Sequence, residues 1–143
     1  MNTTFRHHRV VPFSPRSVFN SFARPDVLAC WWGPAGFTNT FEVFEFRPGG
    51  SWKFVMRGPD GSRHPNENVF LALNPPSGLV IHHVSPPRYM LTIDIEEHET
   101  GSVIRWTQEF EESAVAARIR HIVVPANEEN LDRLVSVLTS EEL

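Results

Sequence analysis

Apolar residues fall along this chain in two rhythms. Between about residues 38 and 110 they alternate with polar ones, and after residue 125 they recur every three or four positions. In residues 51–57, Trp52, Phe54 and Met56 share one side of an extended chain. In residues 88–97, Leu91, Ile93 and Ile95 do the same, while Thr92, Asp94 and Glu96 face away. Residues 41–46, 68–73, 79–84 and 103–110 complete the set, the last with Ile104, Trp106 and Phe110 aligned. Turn-forming clusters separate them: Arg47-Pro48-Gly49-Gly50, Gly58-Pro59-Asp60-Gly61, Asn74-Pro75-Pro76-Ser77-Gly78, Ser85-Pro86-Pro87 and Thr100-Gly101. Strands joined by such short turns predict an antiparallel meander.

Residues 9–12, after Phe5, predict a short first strand. Ser14-Pro15 then supplies an N-cap and a first-turn proline, and Val18, Phe19 and Phe22 form the apolar face of a short helix. Arg24-Pro25-Asp26 interrupts it, and Val27, Leu28 and Trp31 predict a second short helix that Gly33-Pro34 stops. Trp31 is expected to continue that face into the core, and Trp32 to border the entrance of a pocket. At the other end, residues 125–143 predict a helix with Leu131, Leu134, Val135 and Leu138 on one stripe and Glu128, Glu129, Asp132 and Arg133 on the other side. The whole order predicts an α+β fold: an antiparallel sheet of about six or seven strands with one long C-terminal helix and two short helices after the first strand. If the sheet curls, the helix lies across its concave face and the space between them becomes a pocket. No repeat or linker divides residues 1–143, so a single domain is expected.

Composition narrows what such a fold does. Eleven phenylalanines and four tryptophans suit either a dense aromatic core or a lined apolar cavity. A net charge of -4 with no Lys/Arg cluster argues against a nucleic-acid partner. The single cysteine, Cys30, excludes an intramolecular disulfide and a cysteine-based metal cage, and suits a reducing, cytoplasmic setting. Residues 1–9 are polar and basic, unlike a signal peptide, and no apolar run reaches membrane-spanning length.

Five motifs then follow one another in order: Ala29-Cys30-Trp31-Trp32-Gly33-Pro34 with Phe37; Phe46-Arg47-Pro48-Gly49-Gly50-Ser51-Trp52; Met56-Arg57-Gly58-Pro59-Asp60-Gly61; Asn74-Pro75-Pro76; and Asn130-Leu131-Asp132-Arg133-Leu134. Together they resemble the bacterial homologues of the C-terminal domain of the activator of the ninety-kilodalton heat-shock protein ATPase, within the START-like (SRPBCC) superfamily. The resemblance covers nearly the whole chain. It implies the helix-grip fold, a curved sheet gripping the last helix around an apolar cavity. Residues 111–124 depart from it, with His121-Ile122-Val123-Val124-Pro125-Ala126 where similar proteins carry an aromatic helix start. That stretch closes the pocket in such folds, so ligand identity transfers least there. The superfamily hosts lipid carriers, hormone receptors, cyclases and cochaperone-like domains, so it implies no one activity.

Alternation assigns Trp52, Phe54, Met56, Phe70, His82 and Trp106 to the inner face, with Leu131, Leu134 and Leu138 closing from the helix and Trp32 at the entrance. The same alternation turns Glu109 outward and makes Gln108 the polar lining residue. Adjacent histidines on a strand point to opposite faces, so neither His7-His8 nor His82-His83 can chelate one metal. One of His82 and His83 faces inward, as a ligand-orienting or acid–base group or as a core histidine satisfied by a hydrogen bond. Paired carboxylates such as Glu96-Glu97, Glu111-Glu112 and Glu141-Glu142 read as solvated surface. No serine or cysteine has an activating context, and Cys30 reads as a small buried hydrophobe. No cofactor and no metal is expected. Three readings follow: a non-catalytic site for a small hydrophobic or aromatic molecule, a cochaperone-like module whose partner is a chaperone, and a cyclase- or hydrolase-like enzyme. A homodimer is compatible with the exposed sheet edge.

Overall fold

A computed structural model describes residues 3–141. The expected run of the last helix to Leu143, Glu142 of the Glu141-Glu142 pair, and the first two residues of the amino-terminal stretch lie outside the described residues. The elements run β1 (Thr4–Val11), α1 (Pro15–Ala23), α2 (Pro25–Trp31), β2 (Thr38–Phe44), β3 (Ser51–Arg57), β4 (Arg63–Asn74), β5 (Gly78–His83), β6 (Tyr89–His98), β7 (Gly101–Phe110) and α3 (Ser113–Glu141). The seven strands form one sheet in the order β1-β7-β6-β5-β4-β3-β2, and all its pairs are antiparallel. The meander runs from β2 to β7 through the short turns, and β1 closes the far edge against β7. Because β1 and β2 are the two edges, α1 and α2 carry the chain across the sheet between them. This is the helix-grip arrangement.

Local chemistry explains the helical crossing. The Ser14 hydroxyl accepts from the Ser17 amide at 3.1 Å, and Pro15 takes the first helical position, where no N–H is needed. Val18, Phe22, Leu28 and Trp31 are all 0–1% exposed, so both short helices are anchored by their apolar faces. Cys30 lies off that face and is exposed, its thiol donating to the Asp26 carbonyl at 3.3 Å. This corrects the expectation of a buried thiol: Val27, Leu28 and Trp31 already occupy the inner side of α2.

Two apolar clusters lie under α3. The main core joins α1, α2 and the concave face of the sheet with Leu131, Leu134 and Leu138. A smaller one contains Phe5, Phe110 and Ala116, with Tyr89, Ile119, Val123 and Val124 against it. The second cluster explains the largest difference from expectation. The last helix begins at Ser113, not at residue 125, and Pro125 lies inside it. Proline lacks an N–H and crowds the preceding turn, at a cost of about 3 kcal/mol, so by itself it marks a boundary. Here Ala116, Ile119 and Val123 give the first half an apolar stripe of its own to bury. Strand β4 likewise begins at Arg63 and not at residue 68, and its Arg63–Val69 stretch pairs with the whole of β3. Its Pro65 is tolerated because β5 pairing starts only at Asn68.

Candidate functional site

The concave face divides into a filled half and a hollow half. Trp52, Phe54 and Phe70 are 0–1% exposed; Trp52 lies 4.6 Å from Phe54 and 5.8 Å from Phe70 between ring centroids, stacked on both. Leu131, Leu134 and Leu138 press into the same core. These six of the expected lining residues belong to the packed core and do not line the hollow half; Leu138 instead edges a separate pocket of about 190 Å³ beside α1, with Ser21, Arg24 and Val27. The hollow half is a cavity of about 200 Å³ under the first half of α3. Trp32, Met56, Trp106 and Gln108, four of the expected residues, line it. The sheet adds Asn66, Tyr89, Leu91 and Phe110, and the turns add Gly33, Pro34 and Pro87. Its roof is Ile119, Ile122, Val123, Ala126, Asn127 and Asn130. Ile122, 58% exposed, stands at the rim. A surface groove of about 420 Å³ shares Pro87 and Ile119 with it and is edged by Arg88, Glu111, Glu112 and Arg118.

His82 does not belong to this site, which corrects its assignment to the inner face. Leu79, Ile81 and His83 are the buried alternates of β5, so the period of two turns His82 to the convex side. There its Nε2 lies 3.1 Å from Glu111 Oε2, and Arg88 Nε donates to the same carboxylate at 3.2 Å. His83 is the inward histidine, 3% exposed. Its ring stacks on Tyr89 at 4.5 Å, its Nδ1 lies 2.8 Å from the Pro87 carbonyl, and its Nε2 lies 2.7 Å from Asn66 Oδ1 and 3.2 Å from Ser85 Oγ. Burial pushes this imidazole below its ordinary value of 6.5, outweighing the hydrogen bonds, while nearby His82 and Arg88 push it further down. The ring supports three lining residues without lining the cavity itself.

Trp32 is the partition between the two halves. Its ring centroid lies 5.0 Å from Trp52 on the filled side and 5.8 Å from Trp106 on the hollow side. The loop that carries it is held by α3. Asn130 Nδ2 donates to the Trp31 carbonyl at 2.7 Å, and the Gly33 amide donates back to Asn130 Oδ1 at 3.2 Å. Arg133 donates to five carbonyls, those of Cys30, Trp32, Gly33, Pro34 and Phe37, at 2.9–3.1 Å. Arg133 therefore faces the loop rather than the solvated side expected for it. Gly33 has φ 95, and a Cβ there would sit 2.5 Å from the Met56 methyl. The positive φ is what favours glycine here, since the Met56 methyl ends a flexible side chain that can move aside.

Polar chemistry in the cavity is sparse. Asn127 Nδ2 donates to Gln108 Oε1 at 2.9 Å, and both side chains are buried. Gln108 Nε2 and Asn127 Oδ1 have no partner among the described residues, so the pair offers an occupant one donor and one acceptor. Tyr89 is the one ionisable side chain among the lining residues. Among the described residues no cluster of three or more His, Cys, Asp or Glu side chains stands together to hold a metal ion, and no helix is long and apolar enough to cross a membrane.

Asn66, Tyr89, Asn127 and the roof from Ile119 to Ala126 were missed by alternation alone. The roof was missed because Pro125 hid the helix that carries it. Asn66 was missed because its strand was expected to begin at residue 68, whereas Tyr89 lay inside the expected strand 88–97, on the face of Leu91, Ile93 and Ile95, and was not assigned to the lining.

Residues 12–139 match the family model described as Activator of Hsp90 ATPase homolog 1-like protein. No curated protein matches the chain. Solved structures share its fold. A protein from Nitrosomonas europaea, 18% identical, superposes with a TM-score of 0.87 over 97% of this chain and 96% of that one. One from Chromobacterium violaceum, 24% identical, gives 0.84 over 96% and 98%. One from Arthrobacter aurescens, 21% identical, gives 0.89 over 96% and 87%. At these identities the likeness is one of fold.

Proposed function

The chain belongs to the Activator of Hsp90 ATPase homolog 1-like family, and from that premise we propose that it binds a small, uncharged, ring-sized molecule in the cavity between the sheet and the first half of α3. The observation that carries this reading is the hollow itself: about 200 Å³ walled by Trp32, Trp106, Met56 and Leu91, with one free donor and one free acceptor at the Gln108–Asn127 pair. The fold commonly holds hydrophobic ligands. Size decides which. Pockets for drug-sized ligands run to about 300–1,000 Å³, whereas an apolar cavity of about 150 Å³ suffices for benzene. A lipid chain or a fused polyketide would have to displace Trp32 or the α3 roof. A single ring with one hydrogen-bonding substituent needs no such movement.

Tryptophan fluorescence tests it, since Trp32 and Trp106 line the cavity. Indole, phenol and benzamide are expected to give saturable quenching, and a long fatty acid none. Ala126→Leu, which fills the roof, should abolish the response while leaving the thermal transition in place. Equal responses in that variant would overturn the reading.

The family description also supports a second reading, in which the chain is a protein-interaction module for a chaperone of the Hsp90 type. It is tested by pull-down and by ATPase stimulation with a purified chaperone; no effect of a stoichiometric excess would dismiss it. The enzymatic reading gains no observation. His83, the inward member of its pair, is shielded from the cavity by Tyr89 and Asn66, and His7, which also turns inward from β1, is bonded to Glu128 and lines no part of the cavity.

A further inference from the structure

We propose that His83 is a positioning residue whose protonation state decides which way Asn66 presents its amide, so that binding in the cavity changes with pH. The inference rests on the cavity reading for its effect on binding, and on donor–acceptor accounting for its mechanism.

The accounting starts at Pro87. A carbonyl oxygen can only accept, so Nδ1 of His83 carries a proton in every state. A neutral ring then has a bare lone pair at Nε2. Asn66 Oδ1 lies 2.7 Å from that nitrogen, and it too can only accept. Turning the Asn66 amide over does not resolve the clash. Its Nδ2 donates to the His64 carbonyl at 2.8 Å, and a flip would set oxygen against oxygen there. Ser85 is the remaining neighbour. Its hydroxyl accepts from the Glu67 amide at 3.1 Å, leaving its one proton free for Nε2, 3.2 Å away.

Two states follow. With the ring protonated, Nε2–H donates to Asn66 Oδ1 and the observed contacts are all satisfied. With the ring neutral, the Ser85 hydroxyl donates to Nε2, and Asn66 leaves the ring and turns its amide into the cavity it lines. The surroundings oppose the cation without forbidding it. From the β5–β6 turn the ring meets Ser85 and Pro87, and it feels the charges of Arg88 and of His82 on the opposite face of its own strand. From β6 it faces Tyr89. From β4 it faces Asn66 and its register partner Asn68, both uncharged. Among the described residues no carboxylate contacts it. The change of state therefore belongs below pH 6.5.

The test is a pH titration from 8 to 4.5 of uniformly labelled, unliganded protein. Nuclear magnetic resonance follows the His83 ring nitrogens and the Asn66 side-chain NH₂. The Asn66 signals are expected to move with the midpoint of His83, with Nδ1 protonated throughout. Asn66 signals that ignore the His83 titration, a neutral ring protonated on Nε2, or a His83 that never titrates would each overturn the proposal. A second arm measures indole and benzamide affinity across the same range. Losing or gaining one neutral hydrogen bond corresponds to roughly a threefold to tenfold change in affinity. That dependence should vanish in His83→Gln and also in Asn66→Ala, which keeps the imidazole. If neither probe binds at any pH, the cavity reading fails while the resonance arm still decides the His83–Asn66 coupling.

Discussion

Arg133 shows how much one side chain holds in place. Its guanidinium fork reaches five backbone carbonyls between Cys30 and Phe37, where the end of α2 and the following loop carry two of the four tryptophans. Hydrogen bonds from a charged donor are worth more than neutral ones, and carbonyls left unpaired add to the loss. Arg133→Lys keeps the charge but not the planar fork. It is expected to destabilise the protein by about 2–4 kcal/mol in urea unfolding. A loss below about 0.5 kcal/mol, typical of an exposed ion pair, would show that the loop does not depend on the clamp. This role was not legible from the sequence, where Arg133 sits among Glu128, Glu129 and Asp132 and reads as part of a solvated face. Trp31 and Trp32 were legible, because only a core and a pocket wall can absorb two adjacent indoles. The inward histidine was narrowed to two candidates, and the strand register that separates His82 from His83 is a tertiary fact.

The element that governs the site is α3. Its second half seats Leu131, Leu134 and Leu138 on the main core, and its first half seats Ala116, Ile119 and Val123 on the smaller cluster. The cavity lies beneath the first half and the Pro125 turn. Alternation and the leucine stripe made the strands and the second half readable. The first half was unreadable because proline's local cost outweighs propensity in any local window, and only its burial against Phe5, Phe110 and Tyr89 reverses the balance. It follows that Pro125→Ala restores a helical N–H without removing a contact of the core. The variant is expected to gain about 1 kcal/mol or more in stability, measured by denaturant midpoint at unchanged m-value. A loss of stability would mean that the bend at Pro125 is needed to seat both halves.

At the scale of the whole molecule, the sheet edge is tied to α3 by charge. Arg9 donates to Asp132 at 2.8 Å and to Glu128 at 3.0 Å, and His7 Nδ1 also bonds Glu128. Partial burial raises the Glu128 carboxyl, but the His7 and Arg9 hydrogen bonds and charges outweigh it and hold it below its ordinary value of 4.5. A carboxylate depressed in the folded state contributes stability above its unfolded value and loses it as pH falls through the folded one. His83 is depressed as well, so the folded state resists a proton that the unfolded chain takes up below pH 6.5. Acid should therefore weaken the fold in two steps, one beginning below pH 6.5 and one below pH 4.5. Urea midpoints across pH 8 to 3 check this. Glu128→Gln should reduce the second step and leave the first. A profile flat down to pH 4.5 would remove His83 from the account.

The central claim is that the hollow under the first half of α3 is a ring-sized binding site. Methyl-labelled resonance spectra during an indole titration test it most directly, because Met56, Leu91, Ile119, Ile122 and Val123 ring the cavity while Leu131, Leu134 and Leu138 lie in the filled core. Saturable shifts confined to the first group, and absent in Ala126→Leu, are the expected result. Shifts that never saturate, or that centre on the leucines of the filled half, would contradict it.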